Sequence, residues 1–236
     1  MRTLLITMVS LLVSGFTLKD KPVYTKAELI GNFRPEEHPD FDKLRSKYTT
    51  KEEAYLREEV YDAFKDMWKD AKRDDIELVI ISATRNHAYQ ANIWNRKWNS
   101  FGGAEEDRAE RILQYSSMPG TSRHHWGTDF DLNNLENSYF ESGEGLKVYQ
   151  WLQANAHKYG FFQPYTAFNA FRDAGYREEK WHWSYYPIAN QLQRAYTHIV
   201  NYQDLNGFNG FGYASKLDVI NNYVNGIEVP QILLNQ

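Results

Sequence analysis

Two short stretches of this 236-residue chain hold residue types and spacings that suit metal-assisted hydrolysis. The first runs Ser122-Arg-His124-His-Trp-Gly127-Thr-Asp129-Phe-Asp131. Phe130 and Leu132 alternate with Asp129 and Asp131, so in a strand the two acids share one face and the apolar pair takes the other. His124 precedes Asp131 with Gly127 between them, and a sharp turn at that glycine lets a His on the turn and an Asp on the strand converge. The second stretch, Glu179-Lys-Trp181-His182-Trp183, lies far downstream on another predicted strand. Two His and one carboxylate with an open fourth position form a set that zinc accepts for catalysis. A further Glu outside the ligand set would serve as general base. Taken singly, each residue has an ordinary alternative: a His packed against Trp, an Asp capping a turn, a Glu paired with Lys180. The combination carries the reading.

The pattern Ser-x-His-x-x-Gly-x-x-x-Asp followed by Glu-x-Trp-His resembles the VanY/VanX group of zinc D,D-peptidases, relatives of the metal-bearing fold of hedgehog signalling domains. The Pro119-Gly120 lead-in and the Trp-His-Trp ending resemble its carboxypeptidase branch, as do Ser82-Ala-Thr-Arg85 with Gln90 and the stretch from Trp151 through Asn155 and His157 to Gly160-Phe161. The similarity covers roughly Thr50 to Asn190. It implies that His124, Asp131 and His182 bind Zn2+ and that Glu179 is the catalytic base. It also implies that Arg85 anchors the substrate's terminal carboxylate, with Ser122 and Gln90 as further substrate contacts. A planar guanidinium suits that task because it binds a carboxylate bidentately. The implied activity is hydrolysis of the C-terminal peptide bond of peptidoglycan stem peptides, in the manner of a D-alanyl-D-alanine carboxypeptidase.

Three departures from the family pattern stand out. Asp129 replaces a small residue and, by strand parity with Asp131, is expected on the metal side, accepting a hydrogen bond from a ligand His or touching substrate. Thr84 and Asn86 replace an aromatic residue and a serine. The segment Phe161-Phe-Gln-Pro-Tyr165 matches the usual Arg-Tyr-Pro stretch only loosely. Alternative readings on the same site are an L,D-carboxypeptidase, a cell-wall endopeptidase, or a non-catalytic envelope-binding module. No Cys is present to act as a nucleophile, and Ser122 stands too close to a predicted ligand to form a Ser-His pair.

The elements that must position these residues follow from periodicity. A capping box at Thr50 and Glu53 and apolar residues from Leu56 to Ala71 predict a helix over about Lys51 to Lys72. The β-branched run Ile76 to Ser82 reads as a buried strand and His87 to Trp98 as a second helix. Phe101 to Ser117 is a polar insertion with helical character, and Gly120 to Asn133 a turn followed by a strand. Gly145 to Tyr159 predicts a third helix, Tyr159 to Phe162 and Gly175 to Trp183 two strands, and Ile188 to Val200 a last helix. This order predicts an α+β fold with a small, largely antiparallel sheet flanked by helices, hedgehog/DD-peptidase-like. Glu179 and His182, three apart, would face opposite ways in a regular strand, so a turn, bulge or strand end is expected between them.

Composition sets the remaining bounds. With 42% hydrophobic and 25% charged residues the chain can bury one sizeable core. A net charge of −4 gives no basic stripe for nucleic acid. Aromatic residues make up 16%, enough to line a groove for sugars or peptide planes. Arg2 precedes an apolar run from Leu4 to Val13, too short to span a bilayer and followed by small residues. Residues 1–20 therefore read as an export signal, leaving no stable membrane span and placing the protein in the periplasm or cell envelope. Residues 21–200 are expected to form the peptidase domain, with Lys21 to Tyr48 an irregular lead-in. Residues 201–236 form an extension with a short helix over Ala214 to Val224.

Overall fold

In the computed structural model, which describes residues 24–234, the chain folds as a mixed α and β structure with small antiparallel sheets. The predicted export signal lies outside the described residues. In chain order the elements are α1 (Lys26–Leu29), β1 (Phe41–Lys43), β2 (Tyr55–Arg57), α2 (Glu58–Arg73), β3 (Ile80–Ser82), α3 (His87–Ser100) and α4 (Glu105–Leu113). These are followed by β4 (Asp129–Leu132), α5 (Gly143–Asn155), β5 (Phe161–Phe162), β6 (His182–Tyr185), α6 (Tyr186–Ile199), α7 (Tyr213–Lys216) and α8 (Gln231–Leu234). The expected α+β class holds.

The functional sheet has four antiparallel strands in the order β3-β4-β6-β5. Its central pair sets Asp131 opposite His182, Phe130 opposite Trp183 and Asp129 opposite Ser184. Directly opposed residues project from the same face. One face of this ladder is thus polar, with Asp129, Asp131, His182 and Ser184. The other carries Phe130, Leu132 and Trp183 into a core closed by Phe64 and Met67 of α2 and Val148 and Leu152 of α5. Alternation of side chains along two paired strands puts the chemistry and its foundation back to back.

A second apolar cluster lies among the helices. Trp94 and Trp98 of α3 meet Ile112 and Leu113 of α4, Leu192 and Tyr196 of α6, and residues after position 200, including Leu205, Phe208, Ile220 and Val224. The Trp94 indole N–H donates to the Asn209 carbonyl at 2.8 Å, which ties this last segment to α3.

Several boundaries differ from the sequence expectation. The helix expected from Lys51 begins at Glu58, because Tyr55–Arg57 pairs with Phe41–Lys43 instead of coiling. The Thr50–Glu53 capping box does not form: the Glu53 carboxylate accepts from Lys43 and Tyr55, and the Thr50 N–H donates to the Ile80 carbonyl. Of Ile76 to Ser82 only the last three residues join the ladder. Of Gly175 to Trp183 only His182 and Trp183 do, since the buried Arg172 guanidinium satisfies the Thr166, Ala174 and Tyr176 carbonyls and holds that loop irregular. The lead-in contains α1 and β1, and the helix expected over Ala214 to Val224 is broken at Asp218, whose φ is +47°.

Phe130 tests the foundation of the site. It is fully buried, with ring centroids 5.2 Å from both Phe64 and Phe161. Phe130→Ala is expected to destabilise the fold by about 3–5 kcal/mol in denaturant titration. A loss below about 1 kcal/mol would show that the apolar face does not support the sheet.

Candidate active site

The polar face of the ladder meets a 3-10 turn, Arg123–Trp126, whose carboxyl end is Gly127 at φ +71°. A Cβ at Gly127 would stand 2.3 Å from the Phe41 ring, so a side chain is excluded by both backbone and space. This turn swings His124 over the sheet. Its Nδ1 is 2.8 Å from the Ala83 carbonyl, a contact that fixes the proton on Nδ1 and turns Nε2 toward Asp131.

His182 begins β6, directly after a turn in which its N–H donates to the Glu179 carbonyl at 3.2 Å. That turn is the strand end expected between the two residues, and it brings both side chains to one place. His182 Nδ1 stands 3.1 Å from Asp131 Oδ1 and 3.6 Å from Glu179 Oε2. His124 Nε2 stands 3.4 Å from the same Asp131 oxygen. Ligand atoms of His124, Asp131 and His182 all lie within 4.8 Å of one another, on three buried residues.

This set fits a zinc ion. Tetrahedral coordination with bonds of about 2.0–2.1 Å separates neighbouring ligand atoms by about 3.3 Å, close to the spacings found. Among the described residues the buried His124 Nε2 has no hydrogen-bond partner, which is costly unless a cation or water meets it. Burial opposes charge on His182, yet the Asp129 and Asp131 carboxylates outweigh it and push the imidazole up to about 9. The negative potential that produces this shift is the one that attracts a metal ion. His125, beside His124, is otherwise engaged: its Nδ1 is 2.6 Å from the Arg85 carbonyl and its Nε2 accepts from the Gly120 N–H at 3.1 Å. Burial pushes it down to about 3, so it is a neutral strut under Arg85.

Asp129 lies where strand parity puts it. Its Oδ1 is 3.0 Å from His182 Nε2, the nitrogen turned away from Asp131. The same oxygen accepts from Arg123 Nε at 3.0 Å, while Oδ2 accepts from the Thr128 and Ser184 hydroxyls at 2.5 and 3.0 Å. Burial disfavours its ionised form, but Arg123 and His182 hold the carboxyl well below its usual range. Arg123 in turn donates to Ser184 and to Gln193 of α6. A buried network thus fixes the ring angle and tautomer of His182. Ser184 was legible in principle, two residues beyond His182 on the same face. Arg123 lay inside the motif but has no recognisable spacing of its own.

Glu179 is 6% exposed, and burial, reinforced by the Asp131 charge, pushes its carboxyl up to about 8. It lines a cleft of about 690 Å³ that also receives the three cluster residues, Arg85, Gln90 and Ser122. Arg85 Nε, Gln90 Oε1 and Ser122 Oγ are buried there without partners among the described residues, while Gln90 Nε2 donates to the Ser117 carbonyl at 2.8 Å. All seven residues singled out in the sequence therefore meet at one cleft. Trp181 of the Glu-x-Trp-His pattern lines it too, as do Lys97, Tyr165 and Tyr176, to which the sequence reading gave no role. The Tyr165 ring packs on His182 at 4.7 Å between centroids.

The network predicts the effect of Asp129→Asn. The amide cannot supply the charge that anchors His182, so zinc affinity in a competitive chelator titration should fall about 10- to 100-fold. Unchanged affinity would reduce Asp129 to a packing role.

The chain matches the family model VanY, described as D-alanyl-D-alanine carboxypeptidase, over residues 53–188. It is 31% identical over 160 residues to YodJ of Bacillus subtilis (strain 168), covering 66% of this chain and 56% of that relative. With the D-alanyl-D-alanine carboxypeptidase of Enterococcus faecalis (strain ATCC 700802 / V583) it shares 25% identity over 126 residues, 52% of this chain and 45% of the relative. The chain thus spans about half the length of these curated relatives. Its fold is similar to that of the LdcB LD-carboxypeptidase, with a TM-score of 0.53 and 24% identity over 72% of this chain and 77% of the other. It is likewise similar to VanYB, solved in complex with D-alanine-D-alanine, with a TM-score of 0.50 and 21% identity over 67% and 82%. From the model match and the cluster geometry together, this chain belongs to the VanY D-alanyl-D-alanine carboxypeptidase family.

Proposed function

We propose that this protein is a zinc-dependent D,D-carboxypeptidase that removes the C-terminal residue from peptidoglycan stem peptides. The observation that carries the reading is the convergence of His124, Asp131 and His182 beside a buried Glu179, in a cleft also lined by Arg85, whose Nε has no partner among the described residues. Family membership supports the substrate class.

His124 through Nε2, Asp131 through a carboxylate oxygen and His182 through Nδ1 hold the metal in this reading. When bound, zinc supplies Lewis acidity at the scissile carbonyl. Glu179 takes the proton of the attacking water and returns it to the leaving amine. Burial holds the metal-free carboxyl above its usual range, and a cation bound beside it would draw it back down, leaving a carboxylate free to take that proton. Arg85 grips the terminal carboxylate and so restricts cutting to the last bond, with Ser122 and Gln90 completing the contact. Stem peptides lie outside the cytoplasmic membrane, which agrees with reading residues 1–20 as an export signal. No helix among the described residues is long and apolar enough to cross a membrane.

Defined muropeptides test this directly, with products identified by mass. Zinc-loaded protein should remove one alanine from a pentapeptide stem and leave the tetrapeptide intact; removal of the fourth residue instead would identify an L,D-carboxypeptidase. Glu179→Gln should keep its zinc and lose about 10² to 10⁴ in turnover. His182→Ala should lose zinc and activity together, since two ligands hold catalytic zinc poorly. Near-normal turnover in Glu179→Gln, or loss of its metal, would contradict the role given to Glu179.

A further inference from the structure

A second hollow, of about 610 Å³, lies between α6, Phe162 of β5 and the chain from Asn225 to Leu234. That volume is in the range of small-molecule sites. None of His124, Asp131, Glu179, His182 and Arg85 lines it, and Arg123 is the one lining residue that it shares with the active-site cleft. The buried Arg123 guanidinium forms the partition. Its Nε and Nη2 bond to Asp129 and Ser184 beside the metal cluster, while Nη1 donates at 3.2 Å to Gln193, a residue of the hollow. Nη1 carries two hydrogens, and Gln193 is the only acceptor it has among the described residues.

Along α6, Asn190, Gln193, Arg194, Thr197 and His198 recur at three- and four-residue spacing and present one face to the hollow. Gln193 Nε2 and the Thr197 hydroxyl both donate to Asn225 Oδ1, at 3.3 and 3.1 Å, which seats the segment after position 200 against the helix. Phe162, Ile227, Val229 and Leu234 supply an apolar side.

The charge of this hollow has one sign. Two arginines and a histidine line it, and among the described residues no carboxylate does. Glu228, between Ile227 and Val229, is engaged elsewhere, accepting from Thr166 and Asn169. Of the two arginines only Arg123 has a carboxylate partner among the described residues, Asp129 at 3.0 Å. A guanidinium fork matches a carboxylate or a phosphate, and an apolar wall beside it favours an ion that carries a hydrocarbon group.

We propose that this hollow is a second binding site, for a small organic anion. Its carboxylate or phosphate head is held by Arg194 and the remaining Nη1 hydrogen of Arg123, and its apolar tail lies against Phe162, Ile227 and Val229. The site stands apart from the carboxypeptidase reading and gives the residues after position 200 the task of building half of it.

The test follows backbone amide shifts by NMR in the zinc-loaded protein, titrated with hexanoate, butyl phosphate, hexanamide, acetate and inorganic phosphate. Affinity is read from the amides of Arg194, Thr197 and Asn225, so an anion bound at the metal cleft does not enter the measurement. At least one tailed anion should bind about tenfold or more tightly than hexanamide, as for a charge-assisted hydrogen bond. It should also bind about tenfold or more tightly than acetate or inorganic phosphate, because the tail leaves water. The tighter of hexanoate and butyl phosphate identifies the head group. Arg194→Gln should weaken that anion about tenfold and leave hexanamide unchanged, while Arg194→Lys retains most of the affinity. Shifts confined to residues of the metal cleft, equal affinity for the tailed anions and hexanamide, or undiminished affinity in Arg194→Gln overturns the site. Tailed anions that bind no better than acetate and inorganic phosphate overturn it as well, since only surface charge would then be at work.

Discussion

The site depends on the antiparallel pairing of Asp131 with His182. In-register pairing places these two side chains on one face, 3.1 Å apart, while Phe130 and Trp183 turn to the core behind them. A one-residue slip of β6 would send His182 to the apolar side and bring Trp183 beside Asp131 and His124 in its place. Register is therefore the quantity that the core protects. Phe130 and Trp183 are both buried, and either would be displaced into a polar pocket by a slip. Burying a charged cluster is costly, and here both Asp129 oxygens and Asp131 Oδ1 have a donor or cation opposite.

Around that pair the remaining pieces act as alignment. Gly127 ends the 3-10 turn that delivers His124, and the Ala83 carbonyl selects its tautomer. Asp129 does the same for His182 from the opposite side, and is itself fixed by Arg123, Thr128 and Ser184. Through Gln193 the Arg123 guanidinium connects to α6, and Gln193 donates to Asn225 in the segment after position 200. The helical cluster built by that segment thus reaches the histidine by an unbroken chain of hydrogen bonds, though it contributes no residue to the metal cluster. The additional charge at Asp129, unusual against the family pattern, is fully compensated.

Much of the site was legible in the sequence because its two motifs match the family pattern and each has a local geometry. Parity put Asp129 and Asp131 on one face, and the three-residue offset of Glu179 and His182 required the turn that the chain makes at Lys180–Trp181. What escaped depends on contacts between distant segments. Arg57 looked like part of an amphipathic helix, but its guanidinium reaches the Trp126 carbonyl, Asp40 and Glu28, and this pulls residues 55–57 into a strand with residues 41–43. The loop around Arg172 has a strand-like pattern, and only the carbonyls gathered by one buried guanidinium keep it out of the sheet. Lys97 sits at helical spacing from Gln90, yet no local rule distinguishes a cleft-facing lysine from a solvated one.

The proposed chemistry turns on which atoms would meet the metal. Anomalous diffraction at the zinc edge from crystals of the zinc-loaded protein measures this most directly. One strong peak per chain is expected, bonded to His124 Nε2, an Asp131 oxygen and His182 Nδ1, with Asp129 still hydrogen-bonded to His182 Nε2 and Glu179 outside bonding distance. A peak bonded to Glu179 or to His182 Nε2, or no peak at this cluster, would contradict it.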